Sequence, residues 1–189
     1  MAPAPTHPTR RSTLTLVVLA IAAAAALVLS ACGEEEGTEA VEGQPLELGE
    51  LIYNVQITRF LNPDNVEDAN YLEGQPPAPP GEEYLAVFIR IKNESDEEAH
   101  SIPDEFEIVD TRGSTFEALE TESPFALEPG VEVPPEGEIP PFDTPARSGP
   151  IKGAMLLFLV SDEAVENRPI ALEIPAVDGA EAGSIDLDL

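Results

Sequence analysis

Alternation of apolar and polar residues predicts β-strands along most of the chain after residue 50. In residues 51–57, leucine, tyrosine, valine and isoleucine occupy every second position. Residues 185–189 alternate apolar side chains with aspartates in the same way. A period of two places the apolar side chains on one face of a strand. Both segments therefore predict strands that bury one face.

Two longer segments, residues 84–92 and residues 151–160, are apolar on both faces. In the first of them the second face stays apolar until Arg90. Apolar residues on both faces favour central strands that are covered on two sides. One open sheet cannot cover such strands, whereas two packed sheets can.

Turn residues and prolines separate the remaining strands. Residues 110–113, Asp-Thr-Arg-Gly, connect the β-like runs 106–110 and 114–119 and predict a hairpin. Residues 123–150 contain eight prolines, which remove ladder donors, so this region predicts only a short edge strand at 131–133. Further elements are predicted at two places: a capped helical turn from Ser161 to Asn167 and a strand at residues 170–174.

These elements predict an all-β fold, a β-sandwich of about seven strands formed by residues 50–189. Residues 32–49 are acidic and nearly free of large apolar side chains, which predicts a disordered linker. Residues 61–82 predict a long loop. Its proline-rich run at 76–80 favours a stiff surface segment, and a ligand for a groove that binds polyproline II helices is the alternative.

The N-terminus has the layout of a secretory signal peptide. Arg10 and Arg11 precede residues 14–29, which carry no charge, and Cys32 follows shortly after them. The sixteen residues of that run are fewer than the roughly 20 that span a bilayer core. Residues 1–31 are therefore predicted to be a signal peptide that is removed on export.

The end of this segment, Leu29-Ser30-Ala31-Cys32, resembles a bacterial lipobox. The resemblance implies that a dedicated peptidase cuts before Cys32 after its sulfur has received a diacylglyceryl group. The membrane would then be a partner through the lipid on Cys32, with the protein on the extracytoplasmic face of the cell membrane. Arg10 and Arg11 are also similar to a twin-arginine signal, so both export routes remain open, and the general secretory route is favoured.

The charge of the chain restricts its partners. All 37 acidic residues follow Cys32, and seven of the nine basic residues do, which gives that part a formal charge of −30. Such a field repels nucleic acid and anionic lipid headgroups and favours cationic partners. Nucleic acid is therefore excluded as a partner.

The residue types required for several kinds of catalysis are scarce. With Cys32 lipidated no thiol remains, and His100 is the only imidazole after the signal peptide. A hydrolase triad or a zinc site needs more of these groups, and no glycine-rich phosphate loop occurs. The chain is therefore predicted not to be an enzyme and to need no cofactor.

Carboxylates are plentiful, and they leave two alternatives open. The segment from Asp64 to Asn70 is the nearest approach to a calcium loop. Val66 occupies a ligand spacing there and no glycine follows in place, so Asp64 and Asp68 are weak candidates only, and no metal site is predicted. A weak divalent-cation-binding or envelope-stress accessory protein is the first alternative, and a carboxylate-based hydrolase is the second.

Three segments resemble an immunoglobulin-like (telokin-like) domain of unknown function. They are residues 84–93 (Tyr-Leu-Ala-Val-Phe-Ile-Arg-Ile-Lys-Asn), residues 106–113 and the glycine-led strand at 153–160. That domain is common on lipoproteins of Gram-positive bacteria. The resemblance covers residues 51–189. This chain departs from the family's pattern at the proline-rich inserts 73–82 and 124–145. It implies an immunoglobulin-like fold and an extracytoplasmic location, with no catalytic residues. The expected function is a non-enzymatic binding or interaction module of the cell envelope, whose partner is an unknown envelope protein or ligand.

Overall fold

The computed structural model describes residues 38–189, which belong to one compact unit. The predicted signal peptide and the lipobox with Cys32 lie outside the described residues. No helix between residues 38 and 189 is long and apolar enough to cross a membrane. The strands are β1 (Glu39–Val41), β2 (Leu46–Leu48), β3 (Leu51–Leu61), β4 (Glu82–Asn93), β5 (His100–Ser101), β6 (Glu107–Val109), β7 (Thr115–Glu117), β8 (Glu132–Val133), β9 (Glu138–Ile139), β10 (Ala154–Ser161), β11 (Ile170–Ile174) and β12 (Gly183–Leu187), and the helices are α1 (Pro145–Ser148) and α2 (Asp162–Glu166).

The strands form two main sheets and one small strand pair. The first sheet has the order β1-β12-β11-β6-β7. The second sheet has the order β10-β4-β3-β2, and β9 also pairs with β4, while β5 pairs with β8. The prediction of an all-β sandwich is confirmed. The structure has more than seven strands because strands of two or three residues flank the longer predicted ones.

The main core lies between the two sheets. Alternate residues of β4, from Leu85 to Ile91, are fully buried and belong to the same cluster as Ile108, Leu172 and Ile185 of the first sheet. Full burial of one such side chain contributes about 1.5–3 kcal/mol. The period-2 pattern of β4 therefore fixes which face meets the first sheet.

The opposite face of the second sheet is covered by loops. Phe88 of β4 and Leu157 of β10 pack in a second cluster with Tyr71 and Leu72. The Tyr71 ring meets the Phe88 ring edge-on at 5.1 Å between centroids and the Phe125 ring at 4.8 Å. The expectation that two packed sheets alone cover the two-sided strands is therefore wrong, because residues 61–82 and 119–125 cover the second face.

The chain between residues 38 and 49 forms strands, so the prediction of a disordered linker up to residue 49 is wrong for this part. β1 pairs in parallel with β12 at the edge of the first sheet, and β2 pairs with β3 at the edge of the second. Leu46 and Leu48 are buried in the main core. Gly183 allows Thr38 and Leu48 to approach β12 closely, since a Cβ on this residue would lie 2.8 Å from the carbonyl oxygen of Thr38 and 2.9 Å from Cδ2 of Leu48. The prediction was wrong because it rested on the acidic composition of the whole segment and gave no weight to these few apolar residues.

The predicted hairpin and helical turn are both present. Asp110 begins the β6–β7 turn, and its Oδ1 accepts hydrogen bonds from the backbone N–H groups of Arg112 and Ser114, each at 2.8 Å. Burial raises the pKa of this carboxyl, but the N–H donors outweigh it and hold the pKa below its ordinary value. At α2 the Ser161 hydroxyl accepts from the backbone N–H of Ala164 at 3.3 Å, which is the predicted cap.

Candidate functional site: an acidic groove

A groove of about 620 Å³ lies beside β7 and β10. Its volume lies within the usual range for ligand sites. We call it the acidic groove. It is lined by Asp104, Glu105, Phe106, Glu107, Glu117, Ala118, Leu119, Glu120, Thr121, Ala126, Leu127, Glu128, Pro129, Met155, Leu156 and Pro175.

The groove forms where the chain passes from the first sheet to the second. After β7, the backbone N–H of Leu119 donates to the carbonyl of Leu157 at 2.7 Å. Further on, the N–H of Leu127 donates to the carbonyl of Met155 at 2.8 Å, and the N–H of Met155 donates to the carbonyl of Phe125 at 2.7 Å. These bonds attach two separate points of the crossing segment to the outer edge of β10. The apolar part of the lining comes from this attachment.

The charged part of the lining is entirely acidic. Six of the lining residues carry carboxylates, and none carries a basic group. None of the six belongs to an ion pair in the described part of the chain. The groove therefore combines an apolar surface with uncompensated negative charge.

The negative charge continues across the outer face of the first sheet. Glu117 pairs directly with Glu107 across β7 and β6, and Glu107 pairs with Glu173 across β6 and β11. The same row continues through Ser184 of β12 to Glu39 of β1. Like charges directly opposite each other in a sheet are destabilising. The row is thus a costly arrangement that a cationic partner would relieve.

Glu173, at the middle of this row, has a pKa raised above the ordinary glutamate value. Partial burial is the largest cause, and the charges of Glu107, Asp186 and Glu39 add to it. Both causes disfavour the ionised form. The folded state therefore holds a proton on Glu173 at pH values where the unfolded chain has lost it.

Glu173→Gln is expected to raise the melting temperature of the soluble chain at pH 7 by about 1–3 °C, because it removes a charge that its neighbours repel. A raised folded pKa means that the wild type gains stability as pH falls from the folded pKa toward the unfolded value near 4.3. The advantage of the variant should therefore shrink on acidification. Thermal melts at pH 7 and pH 4 measure this. Glu47→Gln is the control, since Glu47 is exposed and lies opposite the uncharged Ile52. If Glu173→Gln raised the melting temperature equally at both pH values, the charge explanation would be contradicted.

The outer edge of β7 borders the acidic groove and lies next to β10. The N–H of Ala118 donates to the Phe106 carbonyl, toward β6. Backbone groups alternate in direction along a strand, so those of Glu117 and Leu119 point away from β6. The N–H of Leu119 donates to Leu157 on that side. The space beside this edge is therefore bounded by β10.

The two weak calcium candidates occupy different environments. Asp68 is almost completely buried; its Oδ1 lies 2.5 Å from Nη2 of Arg59, and its Oδ2 accepts from the N–H of Asn62 at 2.9 Å. Asp64 is exposed, and its N–H donates to Oδ1 of Asn62 at 2.9 Å. Asp68 thus anchors the loop to β3 instead of facing solvent. Between residues 38 and 189, no three Asp, Glu, His or Cys side chains are placed to hold a metal ion.

His100 lies away from the acidic groove, in β5. It lines a smaller cavity of about 190 Å³ together with Tyr53 and Asp178. Burial, followed by the charge of Asp178, raises the pKa of the Tyr53 hydroxyl far above its ordinary value. His100 is half-buried, and Nε2 has no hydrogen-bond partner among the described residues. In β5, His100 lies opposite Val133 of β8.

Most basic side chains are committed to ion pairs elsewhere. Glu138 contacts both Arg90 and Arg147, and the hydrogen bond from Arg147 is the largest cause of its lowered pKa. The guanidinium of Arg147 also lies over the Phe142 ring, 4.5 Å from its centroid. The other pairs are Arg59–Asp68, Lys92–Glu94 and Arg112–Glu163. These cations do not neutralise the acidic groove.

The fold and the groove together define the chain as a β-sandwich domain with an acidic groove. The yjhA protein from Bacillus subtilis is a similar solved structure, with a TM-score of 0.52 and 13% sequence identity over 79% of this chain and 99% of that one. This likeness shows the β-sandwich fold and nothing finer.

Two further solved structures resemble the chain less closely. An uncharacterized beta-sandwich protein from Clostridium difficile 630 has a TM-score of 0.47 and 16% identity over 82% of this chain and 97% of that one. The "putative lipoprotein (ycdA)" from Bacillus subtilis subsp. subtilis str. 168 has a TM-score of 0.45 and 11% identity over 80% of this chain and 39% of that one. No protein-family model matches the sequence, and no curated protein does.

Proposed function

We propose that this chain is a lipid-anchored protein of the extracytoplasmic face of the cell membrane, whose immunoglobulin-like (telokin-like) β-sandwich is a non-enzymatic binding module of the cell envelope. The acidic groove is its binding surface. The observation that carries the proposal is the combination of an apolar lining with six carboxylates that no basic side chain of the described residues neutralises.

The placement in the envelope rests on the sequence before residue 33. The uncharged run 14–29 and Leu29-Ser30-Ala31-Cys32 support export and acylation of Cys32. Two acyl chains give stable anchoring, because each buried methylene contributes about 0.8 kcal/mol. The six residues between Cys32 and β1 then tether the sandwich close to the membrane.

Cys32→Ala is expected to move the protein out of the membrane fraction, or to leave it unprocessed, because the lipid attaches to that sulfur. The measurement is fractionation of cells that express the full chain, followed by the intact mass of the protein in each fraction. Glu36→Gln, a change outside the lipobox, should leave the distribution as in the wild type. A Cys32→Ala protein that stays in the membrane fraction with a mature N-terminus would contradict the proposal.

A further inference from the structure

We infer that the cavity of about 190 Å³ lined by Tyr53, His100 and Asp178 binds a small amino alcohol, a molecule with an ammonium group and a free hydroxyl on neighbouring carbons. We call it the Tyr53 cavity. The inference goes beyond the proposed function, because this cavity shares only Pro175 with the lining of the acidic groove. The volume suits an occupant of a few non-hydrogen atoms, since one water molecule takes up about 30 Å³ of liquid.

The Tyr53 hydroxyl is a buried polar group without a partner among the described residues. Tyr53 is 2% exposed, and it packs in the main core. Burial, followed by the charge of Asp178, raises the pKa of the hydroxyl, and no hydrogen bond contributes. The hydroxyl is therefore protonated at neutral pH and can donate. Because Asp178 lines the same cavity, its influence on the hydroxyl places this group on the cavity side. A ligand oxygen there would relieve the cost of an unpaired buried hydroxyl.

A tight turn, residues 177–180, fixes the carboxylate of Asp178 at the cavity. The N–H of the last residue of this turn donates to the carbonyl of the first at 2.9 Å. Asp178 and Gly179 have positive φ angles of 53° and 85°, which Asp-Gly pairs adopt readily in turns. Oδ2 of Asp178 also accepts from the backbone N–H of Ser101 at 3.3 Å. The carboxylate is thus held in place before any ligand binds.

The charged groups at the mouth of the Tyr53 cavity are acidic. Glu50, Asp178 and Glu181 line the cavity and are exposed, and its lining contains no lysine or arginine. They do not form a metal site, since no three acidic, histidine or cysteine side chains between residues 38 and 189 are placed to hold a metal ion. An ammonium group needs no fixed coordination geometry, and carboxylates attract it. The occupant therefore carries a positive charge.

The two features lie close together, which sets the size of the ligand. The Asp178 carboxylate is near enough to the Tyr53 hydroxyl to raise its pKa, so one short molecule can meet both. Its hydroxyl accepts from Tyr53 while its ammonium group faces Asp178. Ethanolamine is the smallest molecule with this pair of groups. Propylamine replaces its hydroxyl with a methyl group, and ethylene glycol replaces its ammonium group with a second hydroxyl.

The test is a titration of the soluble chain from residue 33 on, followed by proton NMR at fixed pH and ionic strength. His100 is the only histidine in that part of the chain and lines the cavity, so its ring signal reports occupancy. Ethanolamine should give a saturable shift with a Kd in the millimolar range, since so small a ligand makes few contacts. Propylamine and ethylene glycol should each bind about threefold more weakly or worse. No saturable shift, or equal binding of either analogue, would overturn the inference.

Two variants assign the contacts. Tyr53→Phe should remove the preference for ethanolamine over propylamine, and Asp178→Asn should reduce the preference over ethylene glycol, because asparagine also tolerates positive φ and keeps the turn. Tyr84→Phe is the control; its hydroxyl donates to the Pro76 carbonyl at 2.7 Å in the second cluster, so both preferences should remain. Retention of the propylamine preference in Tyr53→Phe would contradict the site.

Thermal melts without ligand separate binding from a structural role. Tyr53→Phe should melt no lower than the wild type, because the hydroxyl has no hydrogen bond to lose, whereas Tyr84→Phe should melt lower. A Tyr53→Phe protein that melts well below the wild type would show that the hydroxyl already has a partner, and would overturn the inference. These results concern the Tyr53 cavity alone, so they are distinct from any failure of the acidic groove.

Discussion

Phe88→Ala is expected to lower the free energy of unfolding by about 3–5 kcal/mol. Phe88 is fully buried on the face of β4 that the loops cover, and its ring contacts the ring of Tyr71. Removal of the ring takes away its transfer free energy and leaves a cavity between the second sheet and residues 61–82. The measurement is urea unfolding of the soluble chain, followed by far-UV circular dichroism.

The control for Phe88→Ala is a change at Val66, which belongs to the covering loop of residues 61–82. Val66 is 86% exposed, so Val66→Ala should stay within about 0.5 kcal/mol of the wild type. Equal losses for the two variants would show that the loop does not cover a packed second core. The comparison therefore tests the assignment of this loop as part of the core.

Asn93→Asp is expected to cost about 3–5 kcal/mol at pH 7, because it places an uncompensated charge in the interior. Asn93 is fully buried at the end of β4. Its Nδ2 donates to the carbonyls of Glu98, Val133 and Pro134 at 2.8, 3.0 and 3.2 Å, and its Oδ1 accepts from the N–H of Ser95 at 2.9 Å. A carboxylate keeps the last bond but faces three carbonyl oxygens without a proton to donate.

Asn93→Ala separates the two effects. It loses all four hydrogen bonds without adding a charge, so it should cost about 1–3 kcal/mol. The aspartate variant should regain part of its stability as pH falls toward the unfolded aspartate pKa near 4, because burial favours the protonated carboxyl, and the alanine variant should not. An aspartate variant that is as stable as the wild type at pH 7 would contradict the hydrogen-bond assignment at Asn93. These bonds connect the end of β4 to the chain beside β5 and β8.

Much of the fold could be predicted because the long strands carry their own patterns. The two-sided apolar runs identified β4 and β10 as strands buried on both faces, and the Asp-Thr-Arg-Gly turn identified the β6–β7 hairpin. The expected central position is confirmed for β4 and wrong for β10, which lies at the end of the second sheet's strand order. β1 and β2 were missed because each is only three residues long within an acidic, glycine-containing segment. Their stability comes from pairing with strands distant in sequence, which no local pattern records.

The acidic groove could be predicted only in part. The hairpin turn sets Glu107 opposite Glu117, so this pair was within reach of sequence reasoning. The pairing of Glu107 with Glu173 and the attachment of Leu119 to β10 depend on tertiary contacts across more than 35 residues. The burial of the Asn93 amide could not be predicted, since asparagine is a residue type that is mostly exposed. Composition indicated a cationic partner, and the fold indicates where the negative charge is concentrated.

Titration calorimetry of the soluble chain with tetralysine tests the central claim, that the acidic groove is a binding surface, most directly. The wild type should bind this cationic probe, because six carboxylates line the groove and none of them belongs to an ion pair of the described residues. Glu107→Gln with Glu117→Gln should raise Kd roughly fivefold, since each exposed ion pair contributes about 0.2–1 kcal/mol, whereas Glu94→Gln with Glu97→Gln should change Kd less than twofold. The absence of binding, or an equal loss for the two double variants, would contradict the account of the acidic groove as a binding surface.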